Sequence, residues 1–277
     1  MIIYAHHHLW QYNSRDYAWM SADMDALRRD FLLPELEDTL RRSSIDGAVA
    51  VQARQSLLET RWLLGLAQAS GIIRGVVGWI PLVDPNVAAS LDEFASNGKL
   101  KAVRHVLHDE PDEDYMLRER FHAGIALLPR NGLAFDILIF ERHLPQTIRF
   151  VDAHTNLTFI LNHIAKPRIR DRELSPWREH IRELARRENV YCKISGMVTE
   201  AAWRTWNPAD LEPYFEVVLS AFGPKRLMFA SDWPVLTLAA SYGTWVETVR
   251  RAIAKLSAPE QSRIWGETAV EAYRLDS

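Results

Sequence analysis

The chain has 277 residues, 48% of them hydrophobic and 25% charged, and its 33 basic and 36 acidic side chains leave a formal net charge of −3. That mass is enough for one large α/β core. The charges are scattered with no long run of one sign, which argues against nucleic acid or an anionic membrane as the main partner, and no apolar stretch reaches the roughly 18 residues of a membrane span. The single cysteine, Cys192, cannot form an internal disulfide, and the start carries no basic segment leading into an apolar signal region, so a cytoplasmic location is expected.

Eight short apolar or β-branched runs recur along the chain at residues 2–8, 47–53, 73–80, 100–106, 133–139, 157–163, 189–195 and 226–232. Each reads as a strand. The segments between them carry helical periodicity, clearest in Trp177, Ile181, Leu184 and Ala185 and in Leu211, Phe215, Val218, Leu219 and Phe222. Ser175 before Pro176 reads as a helix N-cap with proline at the first helical position, and Gly223-Pro224 reads as a helix end.

Strands that are nearly continuous in apolar residues, alternating with helices, imply a parallel sheet covered by helices. Eight such units, with no glycine-rich phosphate turn after an early strand, predict a (β/α)8 TIM barrel rather than an open doubly wound sheet. No linker or change in composition divides residues 1–277, so a single domain is expected. Residues 9–33, rich in Trp, Tyr and Asp, make a long connection after the first strand, where barrel loops often carry function.

In a parallel barrel the C-terminal strand ends gather around one mouth. Those ends hold His6 and His8; Gln52 with Arg54 just beyond; Trp79; Arg104 and His105; Asp136; His163; Lys193 and Ser195; and Asp232 with Trp233. His6 and His8 are two apart and so share one face of their strand, while His7 points away. Imidazoles and a carboxylate are the donor set that a zinc-type ion prefers, which makes His6, His8, His163 and Asp232 the candidate ligands of one divalent cation. Arg54, Arg104 and Lys166 are candidate anchors for a substrate oxygen, with Trp79, Trp233 and Trp10 as an apolar wall. His105 is balanced between a substrate contact and a structural histidine; His122, His143, His154 and His180 are expected to be structural. No Gly-x-Ser-x-Gly turn is present, and Cys192 lies on the face opposite Lys193, so neither supplies a nucleophile.

The motifs His6-x-His8 with Trp10, Val51-Gln-Ala-Arg-Gln55, Gly75-Val-Val-Gly-Trp79, Val103-Arg-His105, Asn162-His-Ile-Ala-Lys-Pro167, Cys192-Lys-Ile-Ser-Gly196 and Ser231-Asp-Trp-Pro234 run through the whole chain. Together they resemble the sugar-lactonase branch of the amidohydrolase superfamily. The resemblance implies a distorted TIM barrel that opens a sugar-acid or related lactone. It maps the family's general base onto Asp232, its His-x-His onto His6 and His8, and its later-strand histidine onto His163. Members work with a zinc ion or without metal, and nothing here suggests a residue bridging two ions, so a mononuclear or metal-free centre is expected. The family usually has Asp where this chain has Tyr4, which strand alternation would put on the same face as His6 and His8. Two rival readings are a non-oxidative decarboxylase on the same barrel and a binding protein without turnover.

Overall fold

In a computed structural model that describes residues 1–95 and 97–276, eight parallel strands pair in chain order. They are β1 (Ile3–His7), β2 (Gly47–Val51), β3 (Ile73–Gly78), β4 (Leu100–Val106), β5 (Ala134–Leu138), β6 (Phe159–Leu161), β7 (Val190–Ile194) and β8 (Leu227–Phe229). Every residue of β1, β2, β5, β6 and β8 is buried, as a sheet enclosed by helices requires. Phe135 and Phe159 of the sheet join Phe121 and Phe150 in a chain of ring contacts with centroids 5.5–6.4 Å apart. No helix of the described residues is long and apolar enough to cross a membrane.

The predicted helical stripes pack as expected. Trp177, Ile181 and Leu184 are buried on helix Trp177–Leu184, and Leu211, Phe215, Val218 and Phe222 on helix Pro208–Phe222, which ends at Gly223 with φ +64°. The other end signal is corrected. The helix after Ser175 begins at Trp177, with Pro176 as its flanking residue, and the Ser175 hydroxyl binds the Glu179 carboxylate instead of capping a backbone N–H.

The seam between the last and first strands is closed by the residues of interest themselves. His8 N donates to Trp233 O at 2.8 Å and Asp232 N donates to His6 O at 3.1 Å, alongside a parallel bridge between His7 and Trp233. Sealing the barrel therefore sets Asp232 beside His6 and His8.

At the other end, the start of β1 is packed against the C-terminal segment so tightly that a Cβ on Gly266 would lie 2.3 Å from Met1 O. That segment continues into helix Thr268–Tyr273, which carries Tyr273 into the barrel floor. The interior is not purely apolar. Lys193 and Asp136, both fully buried, form an ion pair at 2.6 Å inside the barrel.

Candidate active site

His6, His8 and Asp232 converge on one point. His6 Nε2 and His8 Nε2 are 3.2 Å apart, and they lie 3.4 and 3.1 Å from Asp232 Oδ1. The second carboxylate oxygen of Asp232 has no hydrogen bond among the described residues. His8 is oriented from behind by Nδ1 contacting Val51 O at 2.8 Å, the arrangement that leaves Nε2 as the free donor atom.

The sequence reading placed His163 and Asp232 on strands, but β6 and β8 end at Leu161 and Phe229. Both residues sit in turns just beyond, and both are left-handed, His163 at φ 53° and Asp232 at φ 67°. Ile164, Ala165 and Lys166 continue the left-handed run at φ 48°, 64° and 48°. Such backbone costs an L-residue about 1–2 kcal/mol, and it persists where surrounding contacts over-determine it. One such contact is Trp177 Nε1, which donates to Ile164 O at 2.8 Å.

Gly196 is required by this turn. It has φ +69°, and a Cβ there would meet His163 Cβ at 2.6 Å. Gly196→Ala is therefore expected to displace the His163 ring and lower kcat at least ten-fold while the barrel still folds. Steady-state kinetics beside a far-UV CD melt checks this, and wild-type kcat would contradict it.

His163 flanks the triad. Its Nε2 is 3.7 Å from Asp232 Oδ1, its ring centroid is 4.6 Å from that of His6, and its Nδ1 is 2.8 Å from Ser195 Oγ. Among the described residues, His6, His8 and Asp232 offer donor atoms all within 4.8 Å of one another, and His163 stands beside them. The 3.1–3.4 Å separations match the edge of a tetrahedron around an ion with bonds of about 2.0–2.1 Å. The three donors thus fit a single divalent cation.

Burial would push the Asp232 carboxyl up, but the His163 and His8 imidazoles and the Lys166 ammonium outweigh it and hold the pKa at about 2. Asp232 is therefore an anion at any working pH. Burial holds His6 and His163 well below the usual histidine range, so both rings are neutral.

Arg104 reaches the cluster, with Nη1 3.4 Å from His6 Nε2, and its Nη2 donates to Gln52 O. His105 does not. Arg104 points into the barrel, so its neighbour points out by strand alternation, where His105 binds the Glu110 carboxylate at 2.6 Å and stacks on Tyr115. Lys166 is paired with Glu200 and lies over the Phe140 ring. Trp233 is buried edge-on against Phe31, beside Trp10, and Trp79 is half-buried on the loop after β3.

Arg54 is paired with Asp16 in a cleft of about 330 Å³ at the rim, with Asn13, Tyr17, Glu59 and Trp62 in its walls. The connection of residues 9–33 is thus tied to the loop after β2.

Tyr4 is also corrected. β1 bulges between Tyr4 and His7, so Tyr4 leaves the face of His6 and His8. Its ring lies near those of His7, Phe229 and Tyr242, while its hydroxyl bonds Ser231 Oγ and accepts from Trp233 N. Tyr4 therefore fixes the Asp232 turn from outside and leaves the layer of His6 and His8 undisturbed.

The sequence reading gave no role to Asp136, Lys193, Asn162 or Ser195. The available signal was a charge inside a nearly continuous apolar strand, which must find a partner in the interior. Glu59 was missed as well. It is 2% exposed, accepts from Ala53 N and Arg54 N at 2.9 Å each, and receives the Tyr17 hydroxyl.

Burial pushes the Glu59 pKa up to about 7, against backbone N–H bonds that lower it. A carboxyl raised on folding destabilises the native state as pH climbs from the unfolded value near 4.5 to about 7. Glu59→Gln, which can keep the acceptor, is expected to be more stable than wild type by about 3 kcal/mol at pH 8 and nearly equal at pH 4. Urea unfolding at the two pH values checks it, and a pH-independent difference would contradict it.

The amidohydrolase family profile matches residues 3–275. The chain belongs to the amidohydrolase family. This amidohydrolase is 40% identical over 282 residues to an L-fucono-1,5-lactonase of Burkholderia multivorans, covering 98% of this chain and 95% of that one. It is 34% identical to an L-fucono-1,5-lactonase of Burkholderia ambifaria, with the same two shares covered. Among solved structures it resembles a Burkholderia multivorans amidohydrolase with bound zinc, at TM-score 0.96 and 40% identity over 100% of both chains. The distorted (β/α)8 barrel is the fold of this amidohydrolase.

Proposed function

We infer that this amidohydrolase opens a sugar lactone by hydrolysis, with Asp232 as the general base. The observation that carries the reading is an ionised Asp232 with one free oxygen, held against His6 and His8, in a chain 40% identical along its length to an L-fucono-1,5-lactonase.

Water bound at the free oxygen of Asp232 gives its proton to the carboxylate as its oxygen attacks the lactone carbonyl carbon. The tetrahedral intermediate then breaks the ring C–O bond, and Asp232 returns the proton to the leaving alkoxide. The product is a hydroxy acid, which ionises and releases one proton to the medium. His163 accepts the Ser195 hydroxyl at Nδ1, so its Nε2–H points to the reaction centre and donates to the developing oxyanion. Arg104 adds positive charge at the same place. Lys166 and Arg54 exchange their partners Glu200 and Asp16 for substrate oxygens, and Trp79 and Trp233 border the sugar.

Zinc is the cation that two imidazoles and a carboxylate select, and bound there it would polarise the lactone carbonyl. His6, His8 and Asp232 would hold it. Lys193 and Arg104 beside His6 oppose a second ion, so elemental analysis is expected to give one zinc per chain after loading, and two would contradict the single-ion site.

L-fucono-1,5-lactone in 18O-labelled water tests the reaction. The expected product is the ring-opened acid carrying one label in its carboxylate. Release of carbon dioxide from a carboxylic acid substrate, with no lactone in a sugar panel opened, would overturn the reading in favour of decarboxylation.

A further inference from the structure

Below the mouth, a closed set of buried polar side chains fills the barrel. Asp136 is fully buried. Its Oδ2 accepts from Lys193 Nζ at 2.6 Å and from Asn162 Nδ2 at 2.9 Å. The Tyr273 hydroxyl lies 2.8 Å from Oδ1 and 3.0 Å from Oδ2, and it alone among the described residues donates to Oδ1.

The two groups that share Oδ2 lead to the same imidazole. Lys193 Nζ is 3.1 Å from His6 Nδ1. Asn162 Oδ1 accepts from Arg104 Nη1 at 3.1 Å, and that nitrogen lies 3.4 Å from His6 Nε2. Both ring nitrogens of His6 are thus met by side chains whose placement depends on how the Asp136 carboxylate is turned.

The geometry points to Tyr273, on the C-terminal helix, as a positioning residue of the hydrolytic centre, acting through Asp136 and Lys193 on His6. A purely packing role would need only the ring, which sits 5.4 Å from the Lys193 ammonium. The hydroxyl does something further. Without it, Oδ1 is a buried carboxylate oxygen with no donor, and a buried acceptor left unpaired drives its neighbours to rearrange. The carboxylate can recover a bond only by turning Oδ1 toward Lys193 or Asn162, which draws one of them away from its present place and releases His6.

The test is Tyr273→Phe, which keeps the ring, compared with p-aminophenylalanine at position 273, which restores an N–H donor. Ring-nitrogen resonances of His6 are read by NMR in the protein without substrate, and kcat and KM are measured on L-fucono-1,5-lactone. The expected result is a shift of the His6 resonances and a fall in kcat of about ten-fold with KM within about two-fold, both reversed by the amine. Unshifted His6 resonances with unchanged kcat would overturn the assignment, as would equal defects in the two variants, which would show that only the native ring fits. Should Tyr273→Phe not fold, the amine variant decides by matching or failing to match wild type. The kinetic arm rests on the lactonase reading, but the NMR arm does not. Shifted resonances in a protein that opens no lactone would sink that reading and leave the positioning role standing.

Discussion

Asp232→Asn is expected to fold and to lose lactone hydrolysis by roughly 10³-fold, the scale on which a positioned general base contributes. The amide has the shape of the carboxylate, but it cannot take a proton from water. The left-handed backbone at φ 67° suits Asn as well as Asp, so the turn itself is not strained further.

The charge matters modestly to stability. A carboxyl held at about 2, below its usual 3.8, contributes at pH 7 a stabilisation that is lost as pH falls through about 2, so the amide should cost about 2 kcal/mol at pH 7 and nothing at the acid extreme. A thermal melt beside initial rates separates the two effects. Full activity in a folded variant would remove Asp232 from the mechanism.

Lys193→Met is expected to cost about 3–5 kcal/mol of stability, a far larger effect than surface ion pairs such as Arg250 with Glu247 can have. Lys193 and Asp136 are both fully buried, so deleting the cation leaves the carboxylate to Asn162 and Tyr273 alone. Burial pulls the lysine down to about 8 against the opposing pull of Asp136.

The partner change Asp136→Asn removes the stranded charge. Combined with Lys193→Met it should recover a large part of the loss, giving a coupling energy of at least about 2 kcal/mol in a urea-denaturation cycle. Additive single losses would mean that the pair does not act as a unit.

The strands were legible because fully buried parallel strands write themselves as apolar runs, and the stripes of helices Trp177–Leu184 and Pro208–Phe222 are periodic enough to assign from spacing. The His6 and His8 pair was legible for a similar reason, since a spacing of two survives wherever the local strand is regular. Tyr4 failed that same rule because a bulge inserts one residue between it and His7, and no composition marks the bulge.

His163 and Asp232 were found as residues but not as left-handed turns. Nothing in Ile164 or Ala165 announces a positive φ, and the left-handed backbone of Gly196 together with its crowding against His163 explains why glycine stands there. The Asp136, Lys193 and Tyr273 network joins positions up to 137 residues apart, and matching their heights inside the barrel requires the strand register that only the fold supplies. His105 follows from strand alternation alone, because Arg104 facing inward turns it outward.

Proton release in weak buffer tests hydrolysis of a sugar lactone by base catalysis at Asp232 most directly. A panel of sugar lactones led by L-fucono-1,5-lactone is mixed with wild-type protein and with folded Asp232→Asn. Wild type should release one proton per lactone opened, and the variant should do so at a rate roughly 10³-fold lower. Equal rates in the two proteins, or no proton release by wild type across the panel, would contradict it.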